Sequence, residues 1–127
     1  MTYDEKQLLA RKFLSVLGKP DETVVKSVAV DDVIWTFPGS SVISGEARGA
    51  AGIIKRAKTI AALDVKVEVL RAVYGYEGVA MILHNTSTTG DRVLDEHLAA
   101  VFSFRGDKIS RLDTFLSDVA MAEAFFA

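Results

Sequence analysis

Two histidines, His84 and His97, are the only imidazoles in this 127-residue chain, and imidazole is the side chain that exchanges protons most readily near neutral pH. His84 lies in Met81-Ile82-Leu83-His84-Asn85-Thr86, amid apolar residues of strand character. If Ala80, Ile82, His84 and Thr86 face the interior, His84 is the one group there able to act as general acid or base. Thr86 or Thr114 would then orient a ligand or a water. The alternatives are a hydrogen-bonded structural histidine, or the opposite strand parity with Asn85 inside. His97 sits in Leu94-Asp95-Glu96-His97-Leu98, where alternation turns Leu98, Ala100 and Phe102 inward and His97 outward.

Other reactive groups are few. There is no cysteine, which removes disulfides, thiolate catalysis and sulfur-ligated metals. Two histidines on different strands without an evident third ligand make no zinc signature, so neither a metal nor a cofactor is expected. Parity places Asp95 and Asp113 on an outer face, where ion pairs with Arg111 or Arg92 account for them. Glu46 and Arg48 fall in a loop, as solvated charges or as a gate. The remaining signal is apolar. Trp35 and Phe37 are two apart, so on a strand they share a face, and Pro38-Gly39 follows at once. Phe13, Trp35, Phe37, Ile82, His84, Phe102, Leu112, Thr114 and Leu116 are the expected wall of one cavity, with a small apolar molecule as its ligand.

The elements that must hold these residues follow from periodicity. Leu9, Phe13, Val16 and Leu17 make one helical face ending at Gly18. A second helix is expected from Pro20 or Asp21 to about Val30, and Asp31-Asp32 separates it from a strand at Val33–Phe37. The small-residue stretch Ser44–Gly49 reads as a loop. A helix follows over Gly49–Leu63, with Ile53, Ile54, Ala57 and Ile60 inward and the charged residues of the run Lys55-Arg56-Ala57-Lys58 on the solvated side. After Leu63 the period changes to two: Val65–Val69, Val79–Thr88, Arg92–Phe104 and Ile109–Leu116 read as antiparallel strands joined by turns. Asp118 is placed to cap a short terminal helix containing Met121, Phe125 and Phe126. The layout is α+β, a single domain over residues 1–127 with helices gathered on one face of a curved, mainly antiparallel sheet.

Net charge is −2 and half the residues are hydrophobic. No basic footprint for nucleic acid is present, no window has the length of a membrane span, and the charged first residues lack the apolar run of a signal peptide. A cytoplasmic location is the expectation.

In the order and spacing of its motifs, the chain resembles the nuclear-transport-factor-2-like superfamily, closest to its SnoaL-like and ketosteroid-isomerase-related branch. The resemblance rests on Trp35–Gly39, on Ser44-Gly45 with Gly49 before the third helix, and on Val101-Phe102-Ser103-Phe104 with Lys108-Ile109. Phe115, Asp118 and Ala124-Phe125-Phe126 also fit. It implies a cone-shaped cystatin-like roll around a cavity, and a homodimer through the outer face of the sheet. It also implies a negative. The steroid isomerase's aspartate base falls on Phe37, its tyrosine donor on Phe13 and its protonated acid on Ala100, so none of its catalytic groups is present. Of the epoxide-hydrolase acids, one falls on His84 and the other on Thr114, beside an outward Asp113. What remains is a pocket protein binding an apolar, cyclic ligand, or an isomerase, cyclase or hydrolase using His84.

Overall fold

The computed structural model describes all 127 residues. Helix α1 (Tyr3–Leu14) starts where Thr2 Oγ1 accepts the Glu5 N–H at 3.1 Å. Asp4 and Glu5 in its first turn and Arg11 and Lys12 in its last complement the helix dipole. A 3-10 turn, Ser15–Leu17, extends the buried stripe of Ala10, Phe13 and Leu14 by Val16 and Leu17. Helix α2 (Glu22–Val28) is capped by Asp21, which accepts the Thr23 N–H at 3.0 Å.

Strand β1 (Ala29–Phe37) begins directly after α2, four residues earlier than expected. Asp31 and Asp32 lie within the strand, both exposed, where its register shifts between Ala29 and Ile34. Their charge reads as a break in the sequence. The ladder with the last strand is interrupted there and resumes at Ile34, so the two acids occupy an irregularity within the strand rather than ending it.

The expected loop before the third helix contains a short strand, β2 (Gly45–Arg48), paired antiparallel to β1 from Ile34↔Arg48 to Phe37↔Gly45. Only Ala47 in it is buried, so four residues of small and charged character carried no strand signal. Helix α3 (Gly49–Ala62) then packs Ile53, Ile54, Ala57 and Ile60 inward as expected. Arg56 departs from expectation. It is buried rather than solvated, donating to the carbonyls of Trp35 (2.8 Å) and Gly45 (3.0 Å) and lying over the Trp35 ring.

The remaining strands are β3 (Lys66–Tyr74), β4 (Val79–Thr89), β5 (Arg92–Arg105) and β6 (Lys108–Leu116). Gly78, just before β4, passes so close to the β5 backbone that a Cβ there would lie 2.5 Å from the Phe102 carbonyl oxygen. Helix α4 (Val119–Phe125) closes the chain, its Met121 N–H held by Asp118 at 3.0 Å as the sequence suggested.

The six strands form one mixed sheet in the order β2-β1-β6-β5-β4-β3. Every pair is antiparallel except β1 with β6, which run parallel. The helices pack on one face of this sheet, which does not close into a barrel. Thirty buried apolar residues form one continuous core between the two layers. No helix is long and apolar enough to cross a membrane.

Candidate functional site in the cavity between sheet and helices

The inward face of the sheet is set by register. On β5 the buried positions are Leu94, Glu96, Leu98, Ala100 and Phe102. Directly opposed residues of an antiparallel pair share a face. Leu83 pairs with Leu98, and Asn85 with Glu96, so β4 turns Val79, Met81, Leu83 and Asn85 inward. This is the alternative parity. Ile82, His84 and Thr86 lie on the outer face, where His84 pairs with His97. Both faces of Val79–Leu83 are apolar, so alternation within β4 cannot choose between them. The outward reading of His97 together with this register decides it.

The inner face encloses a cavity of ≈ 40 Å³ available to water centres. Trp35 and Phe37 of β1, and Leu112, Thr114 and Leu116 of β6, line it as expected. Phe13 and Phe102, both fully buried, do not. They pack edge-to-face beside it with centroids 5.6 Å apart, and Phe13 makes a second edge contact with Trp35. Leu83, Leu98 and Ala100 complete the sheet side, while Leu14, Leu17, Ile60, Ala122 and Phe126 close it from the helices.

Three polar points stand in this apolar wall. Thr114 Oγ1 accepts the Trp35 indole N–H at 2.8 Å, which fixes the Trp35 ring across the β1–β6 seam. Behind that ring, burial pushes the Arg56 guanidinium down to about 10, still far above neutral pH, so it keeps its charge and holds the Trp35 carbonyl.

The second point is Glu96, only 2% exposed. Its Oε1 accepts from the Ser117 backbone N–H, from Ser117 Oγ (2.8 Å) and from the Asp118 N–H (3.0 Å), which ties β5 to the start of α4. Its Oε2 is buried and has no partner. The third is Asn85, directly across the ladder, whose buried Oδ1 also has no partner. Buried polar atoms without partners are uncommon. Two of them side by side on a cavity wall are the chemical signature of this site.

Sequence reasoning missed Glu96, although its signal was present. The alternation that put Leu98, Ala100 and Phe102 inside puts Glu96 inside too, and its charge alone suggested otherwise.

Elsewhere, Asp95 and Asp113 are outward as expected. Arg111 Nε donates to Asp113 at 2.9 and 3.0 Å, and Thr36 Oγ1 donates to the same carboxylate at 2.6 Å. Burial alone would raise the Asp113 pKa, but the hydrogen bonds from Arg111 and Thr36 and the charge of Arg111 outweigh it and hold the group below its ordinary value. Glu46 and Arg48 bond each other on β2, both exposed.

No family model matches the chain. Uncharacterised proteins of Mycobacterium tuberculosis and Mycobacterium bovis are 27% identical to it over 132 residues, covering the full length of both partners. Among solved structures, Bal32a from a soil-derived mobile gene cassette superposes with a TM-score of 0.88 at 19% identity, over 98% of each chain. An NTF2-like protein from Burkholderia xenovorans gives a TM-score of 0.80 at 19% identity, again over 98% of each. TerC, co-crystallised with polyporic acid, gives 0.79 at 16% identity over 97% of this chain and 99% of its own. Element order, sheet topology and these superpositions agree: the chain has the nuclear-transport-factor-2-like fold.

Proposed function

We propose that this chain is a SnoaL-like pocket protein whose cavity binds an apolar, ring-bearing molecule carrying at least one hydroxyl. The observation that carries this is the pair of unpartnered acceptors, Asn85 Oδ1 and Glu96 Oε2, on an otherwise apolar wall. An apolar wall selects a hydrocarbon body by excluding water. Two buried acceptors select a donor, because a ligand hydroxyl gives them the hydrogen bond they lack. At ≈ 40 Å³ the cavity holds a few water molecules, so a ring enters only as the wall moves. Ala122 of α4 and Phe126 just past its end close part of the helix side of the cavity, and their displacement would admit a ring. TerC, of the same fold, was co-crystallised with polyporic acid, which is in keeping with a small-molecule ligand here.

A second reading concerns chemistry. Glu96 lines the cavity and has one oxygen anchored by three donors and the other buried without a partner. A carboxyl so positioned can take a proton from a bound hydroxyl or an activated carbon, and return it. This makes Glu96, in place of the outward His84, the residue for an isomerase- or cyclase-type proton transfer. Asn85 would orient the substrate.

The assembly that goes with this reading is a homodimer through the outer face of the sheet. Phe115 on that face is 61% exposed and Val73 48% exposed, apolar surface of the kind that marks interfaces.

Native mass spectrometry of the protein as purified, followed by extraction of whatever is bound, tests the reading. The expected molecule is cyclic, largely hydrocarbon and hydroxylated. A bound molecule that is polar throughout, or one still retained when Ala100→Phe fills the cavity in a folded protein, would overturn it.

A further inference from the structure

The outer face of the sheet carries a second constellation that the cavity does not use. His84 on β4 is directly opposite His97 on β5, and Asp95 is two residues before His97 on the same face. One ligand atom from each of the three lies within 4.8 Å of the others. We propose that His84, Asp95 and His97 form a binding site for a divalent transition-metal ion of the zinc class.

In the sequence alone the two histidines have no evident third ligand. The register supplies it, because it brings Asp95 Oδ1 within 2.6 Å of His84 Nε2. The other ring nitrogen of His84, Nδ1, faces Glu68 Oε1 on β3 at 3.8 Å. His84 thus stands between two carboxylates. At 3.8 Å the Glu68 contact is longer than a hydrogen bond; closing it by a turn of the exposed Glu68 side chain would give the arrangement that orients a metal-bound imidazole, one nitrogen on the ion and the other donating to a carboxylate beyond it. The residues come from three adjacent strands, Glu68↔His84↔His97 being one cross-sheet row, and rigid elements hold ligands more closely than loops do.

Two imidazoles and a carboxylate suit zinc, copper(II) or nickel(II), whereas magnesium and calcium take all-oxygen sets. The rings stack with centroids 4.2 Å apart and an interplanar angle of 3°. Their in-plane lone pairs therefore run parallel. Binding requires one ring to turn about its soft terminal torsion, bringing the nitrogens to about 2.0–2.1 Å from a common ion. The side chains have room for this, since Asp95 is 63% and His84 29% exposed.

The test uses tag-free protein stripped with a chelator, since these two histidines are the only ones in the chain. Calorimetric titration with zinc chloride is expected to saturate at one ion per chain with a dissociation constant of about 1 μM or tighter. His84→Asn and His97→Asn, each shown to be folded by circular dichroism, are expected to weaken binding at least about tenfold. In cobalt(II)-loaded protein, the visible absorption of a low-coordinate ion should appear in the wild type and vanish in both variants. Absence of saturable zinc binding, or binding that both variants leave intact, would overturn the site.

Discussion

The chemistry of the cavity comes down to Glu96, whose two oxygens have different tasks. Oε1 satisfies the Ser117 and Asp118 backbone donors, and Oε2, buried without a partner, is the acceptor the proposed ligand would meet. Two substitutions separate them. Glu96→Gln keeps an acceptor for those donors, so stability should change little. Glu96→Ala orphans them and should cost about 1–3 kcal/mol for each buried group left unpaired. Urea unfolding of the two variants reads the difference, and equal losses would mean that the hydrogen bonds to Ser117 and Asp118 contribute nothing. The resemblance to the ketosteroid-isomerase-related branch places Phe37, Phe13 and Ala100 at the positions of that enzyme's base and donors. Turnover of a 3-oxosteroid should therefore be undetectable above the uncatalysed rate, because general-base and oxyanion terms of about 10²-fold or more each are missing. A spectrophotometric assay for the conjugated product checks this.

At the scale of elements, the parallel seam between β1 and β6 is what the sequence concealed. Nothing in Val33–Phe37 says that the last strand pairs with it on one side, since pairing partners are a property of the whole sheet. Helices and hairpins were legible because their signals are local: the period change after Leu63, the cap at Asp118, the turns at Gly75–Gly78 and Arg105–Lys108. Strand β2 was not, since one buried alanine gives no alternation. The face of β4 was not either, since both of its faces are apolar, and the inward place of Asn85 was lost with it; Glu96, on β5, was legible from alternation but hidden by its charge. The cross-links at the seam are Trp35 to Thr114 and Thr36 to Asp113. Asp113 has a folded-state pKa below its unfolded value. Its contribution is therefore fully present above the unfolded value of about 3.9 and is lost as pH falls through the folded one. Asp113→Asn should lower stability at pH 7 by about 0.5–1 kcal/mol, since Asp113 and Arg111 are partly exposed. The deficit should shrink once the pH drops below about 4. A deficit independent of pH, in denaturant melts at pH 7 and pH 3, would assign the effect to packing instead.

For the molecule as a whole, the two faces of one sheet have separate roles. The inner face builds a cavity against the helices, and the outer face presents Phe115 and the His84–His97 row. Light scattering during size exclusion at micromolar concentration should give a mass near twice 13.8 kDa. Phe115→Arg should return it to the monomer value, and a wild-type mass already at 13.8 kDa would remove the dimer. The central claim is that the ligand enters the inner cavity and meets Glu96, not His84. Trp35 is the only tryptophan and lines that cavity, so its fluorescence reports occupancy directly. The decisive measurement is a titration of Trp35 emission with 2-naphthol, a hydrocarbon ring probe with one hydroxyl, in the wild type, Glu96→Gln and His84→Asn. The account predicts saturable quenching in the wild type and in His84→Asn, with affinity reduced about tenfold or more in Glu96→Gln, the equivalent of about 1.4 kcal/mol. Saturable quenching that His84→Asn abolishes and Glu96→Gln leaves unchanged would contradict it.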